Sequence, residues 1–438
     1  MGHQPLAFMS DSREVFYSLR LALLSAAAIP FFYYALALVS SLRFFWGSRK
    51  GLASGPELYR GKPSTGEASG DEPKPDWPPV SILKPVRGLD PEAYENFASF
   101  CRLDYPDYEV LFCVGDTDDP ALPVLERLTR DFAQTRIRIL IGSASNAAEK
   151  AINEKAINDK CAKLARLSDE AAYDHLAISD SDVRADADYL RRVIAPLADP
   201  KVGAVTPLYV SLACTNWTQH LQEAGMLSDF YPGLFVAKDL DGVKFALGPT
   251  IATRRSYLRE FGGYAAIENR PADDLLIGRL VAEHGREVVL LPYAIKTVPD
   301  FQSFRELWSK RLRWMTVMRH MRPAGHLGLI FTLGLPWVLL AMALAPHASI
   351  AECLLGGYLM LRLALLWLVG RMGLRQTEMW REILFVPAWD ALATLIWLTS
   401  FMRRTIRWRG YDYAIVNGQL AIMEEEEGIA PVGAQRLG

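Results

Sequence analysis

The chain has 438 residues, half of them hydrophobic, and a formal net charge of −2. That length allows two or three domains, and with no basic stripe of interleaved aromatic residues, nucleic acid is excluded as an expected partner. The five cysteines, Cys101, Cys113, Cys161, Cys214 and Cys353, are scattered with no C-x-x-C pair, so neither a zinc site nor a disulfide framework is expected.

Residues 21–42 carry no charge and are long enough to span a bilayer, with Arg20 and Arg43 at the two ends. A cleaved signal peptide has a shorter apolar core that ends at small residues. This run ends in RFFWGSRK, aromatic and basic, like an anchor at a membrane interface. Pro30 kinks such a helix without forbidding the span. Residues 1–50 therefore read as an N-terminal segment with one membrane helix. Residues 51–79, rich in Gly, Pro, Ser and charge, read as a flexible linker.

From residue 80, strand-like runs alternate with helical ones. The spacing predicts strands at 80–86, 108–114, 137–141, 175–178, 203–210 and 287–291, with helix-length segments near 92–101, 122–132 and 154–167. Cys113, inside one of these strands, reads as a small core residue. The order predicts an α/β domain over 80–300, a mostly parallel sheet with helices on both faces. Such sheets commonly bind nucleotides beyond the carboxyl ends of their strands, although a fold alone does not establish one. The run 175–178 ends at Asp180-Ser181-Asp182, before a helical reading over 186–195. Two carboxylates at i and i+2 can hold a hard divalent cation, and the cation a diphosphate. An isolated Asp-x-Asp is often only a solvated turn; this one gains weight from the motifs around it.

Residues 301–323 form a basic helix with aromatic and Met residues at helical spacing. It is expected on the cytoplasmic leaflet, apolar face in lipid and arginines toward phosphates. The bland alternative is a domain helix with a solvated basic face, and the position directly before a membrane span favours the interface. A C-terminal membrane region, 324–410, holds apolar runs at 327–345, 348–370 and 383–402. Glu352 and Arg362 lie in the second run, Pro387 and Asp390 in the third; charges in spans face protein or a cavity. The positive-inside rule places Arg43, Arg49, Lys50 and the basic helix in the cytoplasm, and with them the α/β domain. Arg403, Arg404, Arg407 and Arg409 ask for that side too. Either the last run spans fully against the rule, or it enters and returns at Pro387; its length favours the full span. Residues 411–438 read as a tail.

The stretch PPVSILKPVRGLDPEAYENFASFCRLDYPDYEVLFCVGDTDDPAL resembles the opening of the membrane-bound ceramide glucosyltransferases and the related bacterial hopanoid-associated glycosyltransferases. These form a family 21/family 2-type group of inverting enzymes with a GT-A catalytic domain. The similarity runs from about residue 80 to residue 323, with a similar membrane arrangement on both sides. It implies a Rossmann-like GT-A fold, a UDP-sugar donor, a divalent metal (Mg2+ or Mn2+) and a membrane-lipid acceptor.

By that resemblance the first family aspartate falls on Asp116, which would accept hydrogen bonds from uracil or ribose. Asp118 and Asp119 read as a capping cluster for the next helix. SILKP would form the other wall of the nucleotide pocket through backbone groups near Lys84 and Pro85. NEKAIN resembles an Asn-x-Lys-x-x-Asn element at Asn153, Lys155 and Asn158, with Lys155 turned toward a carboxylate or phosphate. The near-duplicate AAEKAINEKAINDK leaves its register open. Asp180 and Asp182 take the second aspartate motif, Asp182 as the metal ligand and Asp180 as a contact to ribose or to a ligand water, with metal ligation as its other role. PADDLLIGRL places Asp274 as the third aspartate, the general base, with Asp273 where a glutamate is usual. KRLRW matches the last motif at Arg313-Trp314, while Lys310 replaces Gln or Arg and loses the bidentate geometry. Arg313 would contact the diphosphate and Trp314 would line the acceptor tunnel. On the acceptor side, Tyr231-Pro232 stands where eukaryotic members carry His-Pro, and Gly248 and Thr250 would let the sugar approach the backbone.

The implied reaction moves a hexose, glucose first, from a UDP-hexose to ceramide. A hopanoid lipid with UDP-N-acetylglucosamine is the runner-up, because SDSDVRADADYLRRVIAPL looks especially like the hopanoid-associated enzymes. A processive polysaccharide synthase is disfavoured, since few spans remain for a polymer channel. The rival of another class is a non-catalytic nucleotide-binding membrane scaffold, against which the presence of all three carboxylate positions and Arg313 argues. The expected location is the bacterial inner membrane with the catalytic domain in the cytoplasm; oligomeric state is open.

Overall fold

In the computed structural model the described residues are 6–52, 77–142, 158–299, 301–377, 379–403, 405–408, 411–416 and 419–422. Val80–Pro85 (β1) is buried at every position, and Tyr108–Val114 (β2) at every position after the first. Near-continuous apolar runs of this kind belong to strands covered on both faces. Arg136–Ile141 (β3), His175–Ser179 (β4), Val183–Arg184 (β5), Val202–Ser211 (β6), Thr250–Arg254 (β7) and Glu287–Thr297 (β8) complete an eight-stranded sheet. Its order is β3-β2-β1-β4-β7-β6-β8-β5. β3, β2, β1 and β4 run parallel, as do β6 and β8, while β7 is antiparallel to both of its neighbours and β5 to β8.

β1 lies between β2 and β4, so the chain leaves it toward one side and later returns on the other. The loops after β1 and β4 therefore open onto one crevice, the usual ligand position in such sheets. Helices Ala93–Ser99, Leu122–Asp131 and Asp159–Glu170 connect the first strands. One core layer holds Phe97, Phe100 and Tyr189, and the opposite layer Leu164, Leu167 and Ile277. Three strands differ from the sequence expectation: β5 and β7 are not among the expected runs, and β8 is longer. β7 is a five-residue strand, TIATR, in which two threonines and an arginine interrupt the apolar run. β8 continues past Pro292 to Thr297, because register shifts against β6 absorb the irregularity.

Among the described residues, three helices are long and apolar enough to cross a membrane: Tyr17–Gly47, Ala348–Gly373 and Trp380–Met402. The run expected at 327–345 is instead a pair, Pro323–Phe331 and Gly334–Leu344, bent by 41°. Trp380–Met402 is one continuous helix with Pro387 inside it, so the chain does not turn back there. The charges in the apolar runs find each other: Arg362 and Asp390, both buried, form an ion pair, and Arg362 also donates to the Ser228 carbonyl while Tyr358 donates to Asp390.

The α/β domain sits directly on these helices. Phe44 stacks on Phe235 at 4.3 Å. Helix Trp217–Gly225 meets the last helix so closely that a Cβ on Gly225 would lie 2.0 Å from the Trp389 ring. Helix Phe304–Met321 starts with a capping box, Ser303 with Glu306. Its Leu307 and Leu312 pack with Trp389, Leu392 and Ile396, so this apolar face meets protein rather than lipid. Arg319, on the face expected to meet phosphates, donates to the carbonyls of Phe401 and Arg403 at the end of the last helix. A guanidinium there satisfies orphan carbonyls and suits the helix dipole. A three-stranded antiparallel sheet, Thr405–Trp408, Tyr411–Val416 and Gln419–Ile422, straddles the expected boundary at 410 between membrane region and tail, and its Ile406 and Tyr413 pack on Val317.

Candidate active site

β4 delivers Asp180 and Asp182 to the crevice. The Asp180 amide donates to the Pro249 carbonyl, and the Asp182 carbonyl accepts from the Val298 amide. Lys84 supports this turn from beneath. Its side chain has no exposed surface; its ammonium donates to the Asp180 carbonyl at 2.8 Å and lies 3.6 Å from the centre of the Phe100 ring. Burial pulls its pKa down to about 7 against the opposing pull of Asp180 and Asp182. Lys84 and Pro85 are both buried, and the Lys84 side chain holds the aspartate turn; the expectation for this stretch concerns its backbone groups.

Helix Asp273–Glu283 brings Asp273 and Asp274 to the same crevice. The preceding Ala272 takes a left-handed conformation, φ +58°, which costs a non-glycine residue energy and is held by its surroundings. Asp274 Oδ1 accepts from the Leu275 amide at 2.8 Å. A Cβ on Gly248 would lie 3.0 Å from Asp274 Oδ2, so the backbone at Gly248 walls the carboxylate closely. Burial, and then the neighbouring Asp273, push the Asp274 pKa up to about 6, while Lys160 opposes the rise.

Lys160 is the residue that sequence reasoning missed. Its ammonium lies 2.7 Å from Asp180 Oδ1 and 3.4 Å from Asp273 Oδ2. Burial alone would lower its pKa, but Asp180 and Asp273 hold it well above the ordinary lysine value. Asn153 and Lys155 lie outside the described residues. The signal was present in the repeat EKAIN-EKAIN-DK, where Lys150, Lys155 and Lys160 recur at a spacing of five and only a register shift separates them. Asn158, at the end of the second copy, caps helix Asp159–Glu170 by accepting from the Cys161 amide.

The remaining predicted residues divide. Asp116 is exposed at the end of β2, with Oδ1 accepting from the Asp118 amide at 2.9 Å. Asp119 is buried and ties Gly88 to Ala121 through their amides. Arg313 and Trp314 are half-buried on helix Phe304–Met321, and Trp314 has Arg311 5.0 Å from its ring centre. One acceptor-side expectation is corrected. Tyr231 is fully buried; its hydroxyl donates to the Tyr209 carbonyl and accepts from the Tyr209 amide. Thr250 is 1% exposed, with its hydroxyl turned to the Pro249 carbonyl. Tyr231 presents no atom to an acceptor, because it belongs to the core that seats the domain on the membrane helices, whereas Thr250 lies in β7. Gly248 does reach the crevice, against Asp274.

Around Asp180 and Asp182 the donor set consists of carboxylate oxygens, with Asp273 and Asp274 behind them, faced by Lys84 and Lys160. Oxygen donors in negative excess suit a hard divalent cation such as Mg2+ or Mn2+. A carboxylate with a pKa near neutrality suits a general base.

The chain matches the model of glycosyl transferase family 21 over residues 24–421. A ceramide glucosyltransferase from Gibberella zeae is 32% identical over 134 residues, 30% of this chain and 25% of that protein. Ceramide glucosyltransferase 1 from Caenorhabditis elegans is 24% identical over 294 residues, 66% of this chain and 56% of that protein. The chain thus spans between a quarter and just over half the length of these relatives. A mannosyltransferase from Pyrobaculum calidifontis, solved with GDP-Man and Mn2+, superposes over 85% of this chain and 99% of its own, with a TM-score of 0.50 and 19% identity. That likeness shows the fold, which is GT-A. Because the family match runs through the crevice and through the apolar helices on both sides of it, the chain belongs to glycosyl transferase family 21 and is a glycosyltransferase.

Proposed function

We propose that the enzyme transfers a hexose, glucose first, from a UDP-sugar to the hydroxyl of ceramide, with inversion at the anomeric carbon. The observation that carries this is Asp274: a buried carboxylate pushed up to about 6, at the crevice of a GT-A sheet seated on apolar helices. The similarity to ceramide glucosyltransferases supports the acceptor and the sugar.

In this reading Asp116 meets uracil or ribose, and Arg313 the diphosphate. Asp182 and Asp180 would hold Mg2+ or Mn2+, which neutralises charge on the diphosphate when bound. Lys160 holds Asp180 and Asp273 in place. Asp274 takes the proton of the lipid hydroxyl as its oxygen forms a bond to the anomeric carbon. The bond from that carbon to the diphosphate oxygen breaks on the opposite face, and its electron pair leaves with UDP. The acceptor enters from the bilayer beside helix Phe304–Met321, with Trp314 along its route. The catalytic domain lies on the cytoplasmic side of a bacterial inner membrane.

Purified enzyme in lipid vesicles, given radiolabelled UDP-glucose or UDP-N-acetylglucosamine with ceramide or a hopanoid, tests the reading. Labelled glucosylceramide is expected. A labelled hopanoid alone would replace the acceptor, and tight UDP-sugar binding without any product would favour the non-catalytic scaffold.

A further inference from the structure

The loop after β6, the first turn of helix Trp217–Gly225 and the first turn of the last membrane helix meet at a point that shares no residue with the crevice. Cys214, His220 and Glu382 each bring one metal-binding atom there, all within 4.8 Å of one another. We propose that these three residues form a site for a divalent transition cation of the Zn2+ class, which ties the catalytic domain to the start of the last membrane helix.

The donor set decides the class of cation. One sulfur, one imidazole nitrogen and one carboxylate oxygen suit zinc and its neighbours, and suit Mg2+ or Ca2+ poorly. The scattered cysteines gave no sign of this in the sequence, because His220 and Glu382 are 162 positions apart.

Burial points the same way. Glu382 is 2% exposed. Its Oε1 lies 2.6 Å from His220 Nδ1, but its Oε2 is buried with no hydrogen-bond partner. Buried carboxylate oxygens nearly always have one, and a cation in this position would supply it. A second buried carboxylate, Glu223, lies close by, hydrogen-bonded to Ser211 and Gln376. The facing guanidinium of Arg381 is exposed and lies 3.4 Å from His220 Nε2. Buried negative charge beside a thiol and an imidazole is an environment that favours a cation.

Metal–ligand bonds of about 2.0–2.3 Å put neighbouring ligand atoms about 3–4 Å apart, so the cluster closes with a shift of about 1 Å. On binding, the Cys214 thiol gives its proton to solvent. The ring proton of His220 moves from Nδ1 to Nε2, and Arg381 turns outward. Glu382 then bridges cation and helix.

The test uses the full chain purified in detergent with a histidine-free tag, equilibrated with Zn2+ and then with metal-free buffer. Wild type should retain about one zinc per chain. Cys214→Ser and His220→Gln should retain at least about tenfold less. Asp182→Asn should keep its zinc, which separates this site from the crevice. Wild type loaded with Co2+ should show a sulfur-to-cobalt charge-transfer band, a readout that needs no variant to fold. Zinc in wild type no higher than in Cys214→Ser, or Co2+ binding without the sulfur band, overturns the assignment and leaves a plain His220–Glu382 hydrogen bond. Neither measurement depends on which lipid or sugar the enzyme uses.

Discussion

Lys160 stands between Asp180, 2.7 Å away, and Asp273, 3.4 Å away, so one ammonium joins the strand-end aspartates to the helix that carries Asp274. Its charge also stabilises ionised Asp274 and opposes the rise that burial imposes. Removing that charge in Lys160→Gln therefore moves the Asp274 pKa further up. A base acts only when deprotonated, so wild-type turnover should climb with pH through about 6 and level off above it. In Lys160→Gln the climb should shift to higher pH, and turnover at pH 7 should fall about tenfold or more. A pH–kcat/KM profile with an unmoved acid limb would detach Lys160 from the base.

Asp274→Asn keeps nearly the same shape and cannot accept a proton. Turnover should fall by about 10²-fold or more, the size general-base catalysis supplies, with UDP-sugar affinity little changed. Asp273→Asn should be milder, since Asp273 reaches Lys160. Measured kcat and donor Kd for the two variants check the pair; the reverse order would shift the motif by one residue.

Gly248→Ala is the subtlest test of the crevice. The added methyl would sit 3.0 Å from Asp274 Oδ2 and force a few tenths of an ångström of displacement. Reaction geometry is sensitive on that scale, so kcat should drop about tenfold while thermal unfolding stays near wild type. Wild-type kcat would mean that the lipid hydroxyl does not meet Asp274 from this side.

Asp182→Asn should abolish most turnover without unfolding the protein, and EDTA should do the same to wild type, because a diphosphate-bound cation needs the carboxylate. Full activity in excess EDTA would remove the metal from the mechanism.

Away from the crevice, Asp390→Ala leaves Arg362 buried without its carboxylate. The variant should lose about 3–5 kcal/mol of stability, read as a lowered unfolding midpoint in detergent. An unchanged midpoint would mean water or lipid reaches Arg362.

Much of this protein depends on residues a few positions apart, and that part was legible in the chain itself. Strands β1, β2 and β4 follow from short apolar runs, the basic helix after Ser303 from its aromatic and Met spacing, and the membrane segments from apolar length. The aspartate motifs stood at strand and helix ends, where the backbone leaves side chains pointing into a crevice. What the tertiary structure alone decided is which side chains meet across long separations. That Lys160 meets both Asp180 and Asp273 depends on distances no local pattern carries. Tyr231 read as an acceptor-side residue until packing buried it, and Arg319 read as a headgroup contact until it met the end of the last helix. The Arg362–Asp390 pair and the Cys214–His220–Glu382 cluster join segments that no local pattern relates. Periodicity specifies that a face will be buried; only the folded chain specifies against what, because pairing energy arises between partners and not within either sequence segment.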